Sequence, residues 1–283
     1  MSDKSPEVAL LVHSCDRYEF LYQGFHYFFT KYWDFSFDCS YYFATEEKEP
    51  ALAGFQVVKS GPGPWADRLA YLLREKITAD YVLYFQEDMW LDKPVDARFF
   101  QELVALAHQH GWQQVKLHSA TVYHTVPTAE TVAGFVVAKL NKEASDFLMS
   151  HQVTLWRREF LLQQLRRNEH PWRNERNATK RLRQAQAEIF QLDYFAENGS
   201  VPINQNHNLL ARSSYYTVSV NGTLNHTVVP YIRSLEAGDE QARHYARRLQ
   251  HNYAHHLTHD GAAPPRKVDI FKRLATWLRK ATR

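Results

Sequence analysis

Short runs of apolar and aromatic residues, each closed by a polar cluster, constrain the fold of this chain more than any other feature. Residues 8–12 end at a polar loop, and residues 81–85 end at the triplet Gln86-Glu87-Asp88. A run of five residues is too short for a helix, and its lack of alternation indicates a strand that is covered on both faces. Such strands are typical of parallel sheets that carry helices on both sides.

Helix-forming segments alternate with these runs. Residues 19–32 are rich in aromatic side chains, and residues 65–77 repeat apolar side chains at helical spacing after a Gly-Pro-Gly-Pro loop. Further strands are predicted at 37–44 and 55–58. This order predicts an α/β fold, in which helices flank an open, mainly parallel sheet. Ligands of such sheets bind at the carboxyl ends of the strands, and the polar clusters stand there.

Charge is distributed unevenly along the chain. Residues 1–100 carry 10 Lys and Arg against 16 Asp and Glu, whereas the rest carries 24 against 15, which indicates an anionic partner near the C-terminal part. Two cysteines are too few for a disulfide framework or a four-thiolate zinc site. No apolar run approaches the roughly 20 residues of a membrane span. Because acidic residues precede the first apolar run, we expect a cytoplasmic protein without a signal peptide.

The triplet Gln86-Glu87-Asp88 after a buried strand resembles the Asp-x-Asp-type motif of glycosyltransferases with the GT-A fold. The polar loop after residues 8–12 and the helix start near residues 64–68 resemble two donor-binding segments of the same enzymes. The resemblance covers about residues 8–232, and it implies that a nucleotide-sugar donor binds at this edge of the sheet. The donor-binding residues that it implies are His13, Ser14, Asp16, Arg17, Trp65, Arg68, Gln86 and Glu87.

Asp88 matches the metal-binding position of that motif, so the resemblance implies Mn²⁺ or Mg²⁺ on the donor diphosphate. The chain departs from the family pattern at Gln86, where the first Asp of the triplet usually stands. Some GT-A enzymes use basic side chains in place of the ion, and Arg68 or Arg212 could take that part here. His226 lies where these enzymes often place a late metal or diphosphate contact, and it is a second metal candidate.

The acceptor half, about residues 111–232, contains two candidate catalytic bases. Glu169 and Glu175 flank Trp172 in a segment that resembles the acceptor region of bacterial polysaccharide glycosyltransferases. An inverting transfer needs a carboxylate that takes the proton of the acceptor hydroxyl. Glu169 is the first choice and Glu175 the second; a structural role for both is the alternative, and a retaining enzyme would need neither. Trp172 is expected to stack on an acceptor sugar.

Two basic segments follow. Residues 157–183 hold nine Lys and Arg against three glutamates, which fits a leaving nucleoside diphosphate or an anionic acceptor. Aromatic residues are not interleaved with this run, so we expect no nucleic acid partner. Residues 266–283 repeat apolar and basic side chains as in an amphipathic helix, which fits an anionic membrane surface; docking on protein is the alternative.

We therefore expect a GT-A-like catalytic domain over residues 1–232, with its nucleotide-binding half at about 1–110, and a helical extension over 233–283. The expected function is transfer of a sugar to a hydroxyl of a glycan or glycolipid, with inversion, in surface polysaccharide synthesis at the inner face of the membrane. Two rivals remain. A sugar-phosphate nucleotidyltransferase usually has a Gly-rich signature after its first strand, which this chain lacks. A non-catalytic, membrane-associated scaffold could keep the same fold.

Overall fold

The computed structural model describes residues 5–200 and 210–264, which contain thirteen strands and seven α-helices. The strands are β1 (Val8–His13), β2 (Ser40–Thr45), β3 (Gln56–Lys59), β4 (Tyr81–Phe85), β5 (Met89–Leu91), β6 (Gln114–His118), β7 (Thr125–Val132), β8 (Phe135–Leu140), β9 (Thr154–Arg157), β10 (Phe190–Glu197), β11 (Ser213–Thr217), β12 (Ser219–Val220) and β13 (Thr223–Leu224). The helices are α1 (Glu19–Tyr32), α2 (Trp65–Glu75), α3 (Ala97–His110), α4 (Arg158–Gln164), α5 (Pro171–Gln184), α6 (Val229–Glu236) and α7 (Glu240–Ala254).

Eleven strands form one mixed sheet in the order β3-β2-β1-β4-β9-β6-β10-β11-β5, and β8 joins the β7–β8 hairpin to β10. β3, β2, β1 and β4 are parallel to one another, and so are β6, β10 and β11. β9 is antiparallel to both β4 and β6, so these two strands run in the same direction. The carboxyl ends of β1, β2, β4, β6 and β10 therefore lie at one edge of the sheet, with the amino end of β9. We call it the carboxyl edge.

Buried aromatic and aliphatic side chains pack the helices against the sheet. In α1, Phe25 and Phe29 are buried and stack with their ring centroids 5.2 Å apart. Gly24, on the same helix, allows close contact with the buried Trp90 of β5, because a Cβ at this position would lie 2.1 Å from the indole ring. On α2, Leu69, Leu72 and Leu73 of the predicted apolar stripe are fully buried, and Trp65 is partly buried. The amphipathic pattern thus covers one side of the sheet.

The predicted α/β class is confirmed: a mainly parallel sheet is flanked by helices, and the acidic triplet directly follows a buried strand. One helix is shorter than expected. The sequence predicts a helix that runs to about Arg167, but α4 ends at Gln164 and Leu165 is extended. The main-chain oxygen of Gln164 accepts hydrogen bonds from the side chains of Asn174 and Arg181 on α5, so α5 satisfies a carbonyl that another helical turn would have used.

The chain divides into two compact units, Met1–Val218 and Ser219–Arg283, and the expected domain boundary near residue 232 stays a prediction. The first unit contains the eleven-stranded sheet. In the second unit, the β12–β13 pair is followed by α6 and α7, and the Asp239 side chain caps α7 by accepting a hydrogen bond from the Ala242 amide at 2.8 Å. The predicted amphipathic tail at 266–283 lies outside the described residues. In the described ranges, every helix is too short or too polar to cross a membrane.

Candidate active site at the carboxyl edge of the sheet

The loop after β1 is tied to the loop after β2 by one carboxylate. Asp16 accepts hydrogen bonds from the main-chain amides of Glu46 (3.0 Å), Glu47 (2.9 Å) and Lys48 (3.1 Å). The Asp16 amide in turn donates to the Glu46 carboxylate at 2.9 Å. The side chain expected to contact the nucleotide therefore shapes the rim of the edge, because its oxygen atoms already bind main-chain donors.

Arg68 is the buried cation of this region. Its Nη1 atom donates to the main-chain oxygen of Ser14 at 2.9 Å and lies 3.6 Å from a carboxylate oxygen of Glu46. The Ser14 hydroxyl donates to the Ala44 oxygen at 2.6 Å, so it also joins β1 to β2. The positive charge of Arg68 acts on Glu87, the second residue after β4. The start of α2 thus contributes a positive charge that acts on the acidic triplet, and the donor-binding role of Arg68 stays a prediction.

A group of aromatic and histidine rings packs together at the carboxyl edge. The Trp65 ring lies 5.7 Å from His13 and 4.3 Å from His151, between ring centroids. The Tyr84 hydroxyl lies 3.3 Å from His13 Nδ1 and accepts a hydrogen bond from the side-chain Nε2 of Gln86 at 3.3 Å. Burial, followed by the charge of Arg68, lowers the pKa of His13 well below its ordinary value, and burial lowers the pKa of His151 to about 3. Both imidazoles are therefore neutral at pH 7.

The acidic pair after β4 carries a large electrostatic cost. Burial raises the pKa of Asp88 to about 7. Burial and the neighbouring charge of Asp88 raise the pKa of Glu87 well above its usual range, although Arg68 partly offsets them. A buried Glu87 beside a partly buried Asp88 favours a bound proton or a cation. This pair therefore fits a cation, and its oxygen atoms are the donors that Mg²⁺ and Mn²⁺ prefer.

The described residues contain no group of three or more His, Cys, Asp or Glu side chains arranged to hold a metal ion. A divalent ion at Glu87 and Asp88 would thus need further oxygen atoms from its ligand, and a diphosphate supplies them. The site differs in this respect from a closed structural metal site, in which protein side chains fill the coordination shell.

The three remaining residues predicted to contact the nucleotide sugar or a metal ion are Arg17, Arg212 and His226. Arg17 is exposed on the short 3₁₀ turn after β1. Arg212, the alternative cation, is paired with Asp96 at the N-terminus of α3. His226 belongs to the second unit, where it begins a 3₁₀ turn that the Asn225 side chain caps. The metal role of His226 stays a prediction.

Glu169, the first choice as base, is held in a network of donors. Its carboxylate accepts hydrogen bonds from Asn174 (2.6 Å), Asn177 (2.9 Å) and both terminal nitrogens of Arg181 (3.2 Å each). Burial alone would raise the pKa of Glu169, but the bonds from Arg181, Asn177 and Asn174 outweigh it and lower the pKa below its ordinary value. A carboxylate that is bound in this way accepts a proton poorly, so the geometry favours a structural role for Glu169.

Glu175 has the properties that Glu169 lacks. One of its oxygen atoms accepts a hydrogen bond from the main-chain amide of His151 at 2.9 Å, just before β9, and the other has no hydrogen-bond partner within the described part of the chain. Burial raises the pKa of Glu175 above its ordinary value. The same helix exposes Trp172, 55% accessible, about one turn before Glu175. Of the two candidates, Glu175 is the one at the carboxyl edge with a free oxygen atom.

A polar cluster that the sequence analysis did not identify completes the edge. Lys116 and His118 lie on β6 and Glu197 lies at the end of β10. His118 Nε2 is 3.1 Å from the Tyr123 hydroxyl and 3.7 Å from a Glu197 oxygen. Lys116 Nζ lies 4.0 Å from the centroid of the Tyr123 ring. These residues extend the acidic edge from the donor half of the sheet to the acceptor half.

Burial controls the protonation of this cluster. It raises the pKa of Glu197 to about 7, with further contributions from the charges of Glu175 and Asp88. It lowers the pKa of Lys116 to about 7, against the charge of Glu175. Groups with pKa values close to 7 at one edge of a sheet are suited to proton transfer at neutral pH.

No protein-family model matches the sequence, and a search of curated proteins finds no match. Among solved structures, the chain is similar to crystal structures of S. aureus TarS. For TarS 1–349 the identity is 10%, over 88% of this chain and 71% of that one, with a TM-score of 0.44; for its UDP-GlcNAc complex the values are 11%, 88%, 72% and 0.44. For the longer TarS structure they are 11%, 88%, 43% and 0.45. Because these TM-scores lie below 0.5, we argue function from the site of this chain alone.

Proposed function

We propose that the protein is a glycosyltransferase that moves a sugar from a nucleotide-sugar donor to a hydroxyl group of an acceptor. One observation carries the proposal: the acidic pair Glu87-Asp88, the buried guanidinium of Arg68 and the carboxylate of Glu175 come from three elements to one edge of the sheet. The first two provide the charges that a diphosphate and its cation require, and the third provides a base. An inverting transfer from a nucleotide sugar to a hydroxyl uses both.

The donor would bind over the ends of β1 and β4. A divalent ion held by Glu87 and Asp88 would offset the charge of the diphosphate, which is the chemistry that Mn²⁺ or Mg²⁺ supplies when bound. Arg68 adds a fixed positive charge on the same side. Around them, the residues proposed to contact or shape the nucleotide site are His13, Ser14, Asp16, Arg17, Trp65 and Gln86. The neutral imidazole of His13 suits this place, because it can hydrogen-bond without adding charge.

Glu175 would act as the catalytic base, with Glu169 holding the start of α5 in position. As the acceptor oxygen attacks the anomeric carbon, its proton passes to the free oxygen atom of Glu175, and the bond to the nucleoside diphosphate breaks. A direct displacement of this kind inverts the configuration of the anomeric carbon. The raised pKa of Glu175 supports this role, since a base is most effective when its pKa approaches the working pH.

The finer parts of the proposal concern the acceptor. We propose a glycan or a lipid-linked glycan, whose sugar ring would stack on the exposed Trp172. Residues 266–283 would bring the enzyme to the inner face of a membrane, because their sequence combines an apolar stripe with basic side chains. Both features suit the synthesis of a surface polysaccharide from lipid-linked intermediates.

A binding and turnover experiment tests the donor assignment. Thermal shift with UDP, GDP, CDP and CMP sugars, each with and without Mn²⁺, should reveal one nucleotide that stabilises the chain, more strongly with the metal. Asp88→Asn should remove the effect of the metal and the transfer of sugar. Asp80→Asn is the matched control, because Asp80 precedes β4 at the opposite edge of the sheet, where it accepts a hydrogen bond from the Glu7 amide.

The possible outcomes separate the rivals. Stabilisation by a nucleotide together with transfer to an added glycan supports the proposal. Formation of a nucleotide sugar from a nucleoside triphosphate and a sugar phosphate would identify a nucleotidyltransferase instead. The lack of a shift with every nucleotide would contradict enzymatic function and favour a scaffold.

A further inference from the structure

Lys116 is an anomaly that the proposed function does not use. Its side chain is completely inaccessible to solvent, and its Nζ atom has no hydrogen-bond partner within the described ranges. A buried ammonium group without hydrogen bonds is costly, and native proteins rarely retain one without a functional reason. The only favourable contact of Nζ to a ring in the described structure is with Tyr123, at 4.0 Å from the ring centroid.

Strand pairing places this ammonium near Glu175. Lys116 on β6 pairs with Thr154 of β9, and the segment just before β9 carries His151, whose main-chain amide donates to the Glu175 carboxylate at 2.9 Å. The charges of Lys116 and Glu175 act on each other across this part of the carboxyl edge. The other titratable or charged groups that face the pair come from three elements and two connecting segments. They are His118 on β6, His151 before β9, Arg176 on α5, Tyr123 after β6 and Glu197 on β10.

We propose that Lys116 is a positioning residue that keeps the carboxylate of Glu175 ionised and ready to accept a proton. This inference rests on the proposed function, since it assigns Lys116 to the base of that reaction. Burial opposes the negative charge of Glu175, whereas the hydrogen bond from the His151 amide and the charge of Lys116 favour it. Arg176 contributes from the exposed side of α5, where solvent screens its charge.

The protonation of Lys116 supports the same assignment. Burial lowers the pKa of Lys116 to about 7, and the charge of Glu175 acts in the opposite direction. Burial raises the pKa of Glu175, and the charge of Lys116 lowers it. Each group therefore favours the charged form of the other, as expected for two opposite charges that share a poorly solvated environment.

The main-chain amide of His151 provides a direct readout, because it donates its hydrogen bond to Glu175. We suggest labelling the histidines of the full chain with ¹⁵N and following the amide shift of His151 as the pH is varied. Glu175→Gln identifies the titration step that belongs to Glu175, because the step should vanish in this variant. In Lys116→Met the midpoint should move upward, by on the order of one pH unit, because the positive charge that favours the ionised carboxylate is lost.

Lys139→Met is the matched control, because Lys139 is an exposed lysine on β8 that pairs with Glu188. It should leave the midpoint unchanged. If Lys116→Met does not fold, Lys116→Gln carries the same expectation. Equal midpoints in the wild type and in the Lys116 variant would overturn the inference.

The proposed function is tested separately from this inference. A chain without transferase activity could still show the shift of the Glu175 midpoint, whereas an active enzyme could fail to show it. In an active enzyme, the acid limb of the kcat profile should move by the same amount.

Discussion

Replacing Asp88 with Asn should stabilise the protein while it removes activity. The pKa of Asp88 is raised by burial to about 7, compared with an ordinary value of 3.8. Between these two pH values the folded chain keeps a proton on Asp88 that the unfolded chain has released. The free energy of unfolding therefore falls as the pH rises through this window. An asparagine side chain does not ionise in this pH range, so the Asp88→Asn variant should keep the unfolding free energy that the wild type loses as the pH rises.

The size of the effect follows from the shift. A shift of about three pKa units means that the wild type loses roughly 4 kcal/mol of unfolding free energy at pH 8, which Asp88→Asn should regain. At pH 4 the same relation gives a loss of less than about 1 kcal/mol. Because the charge of Asp88 also acts on Glu87, its removal relieves both carboxyl groups.

Urea denaturation of the wild type and of Asp88→Asn, at pH 8 and at pH 4, measures the difference. Asp80→Asn again serves as the control, since Asp80 is exposed and lies at the other end of β4. We expect Asp88→Asn to raise the free energy of unfolding mainly at pH 8. An equal gain at both pH values, or a loss at pH 8, would refute the electrostatic reasoning.

Three further substitutions test the site and the core, and Glu159→Gln serves as the control for Glu169→Gln. Glu175→Gln should lower kcat by about 10²- to 10⁴-fold and leave the thermal shift with nucleotide unchanged; an equal loss of nucleotide binding would contradict its role as base. Glu169→Gln should lower the free energy of unfolding by about 2–3 kcal/mol, because a buried, fully bonded carboxylate is lost. Glu159→Gln, at an exposed ion pair, should change it by less than about 0.5 kcal/mol. Gly24→Ala should cost about 1–3 kcal/mol in urea denaturation, since its Cβ would collide with Trp90.

The donor half of the sheet could be predicted because its signals are local. An apolar run of strand length, such as residues 81–85, must be buried, and a polar triplet that follows it must lie at the end of the strand. The structure places β4 at Tyr81–Phe85, as the pattern predicts. The helical spacing of residues 65–77 was as informative, and α2 occupies Trp65–Glu75.

The acceptor half was predicted less completely. The alternation of Gln114, Lys116 and His118 with Val115 and Leu117 is a local signal for a strand with one polar face, and β6 occupies these residues. Glu197 gives no comparable signal, because its place at the edge depends on the pairing of β10 with β6, which joins segments far apart in the chain.

The two glutamates, Glu169 and Glu175, show which properties the sequence determined and which ones depend on the tertiary structure. The sequence by itself determined that Glu169 and Glu175 flank a helix start beside Trp172, and that a carboxylate in this region could serve as a base. Only the tertiary structure decided which one is bound by three side chains and which one faces the carboxyl edge. A pKa depends on burial and on the charges around a group. Those surroundings come from strands and helices that are distant in sequence, so no local pattern could have revealed them.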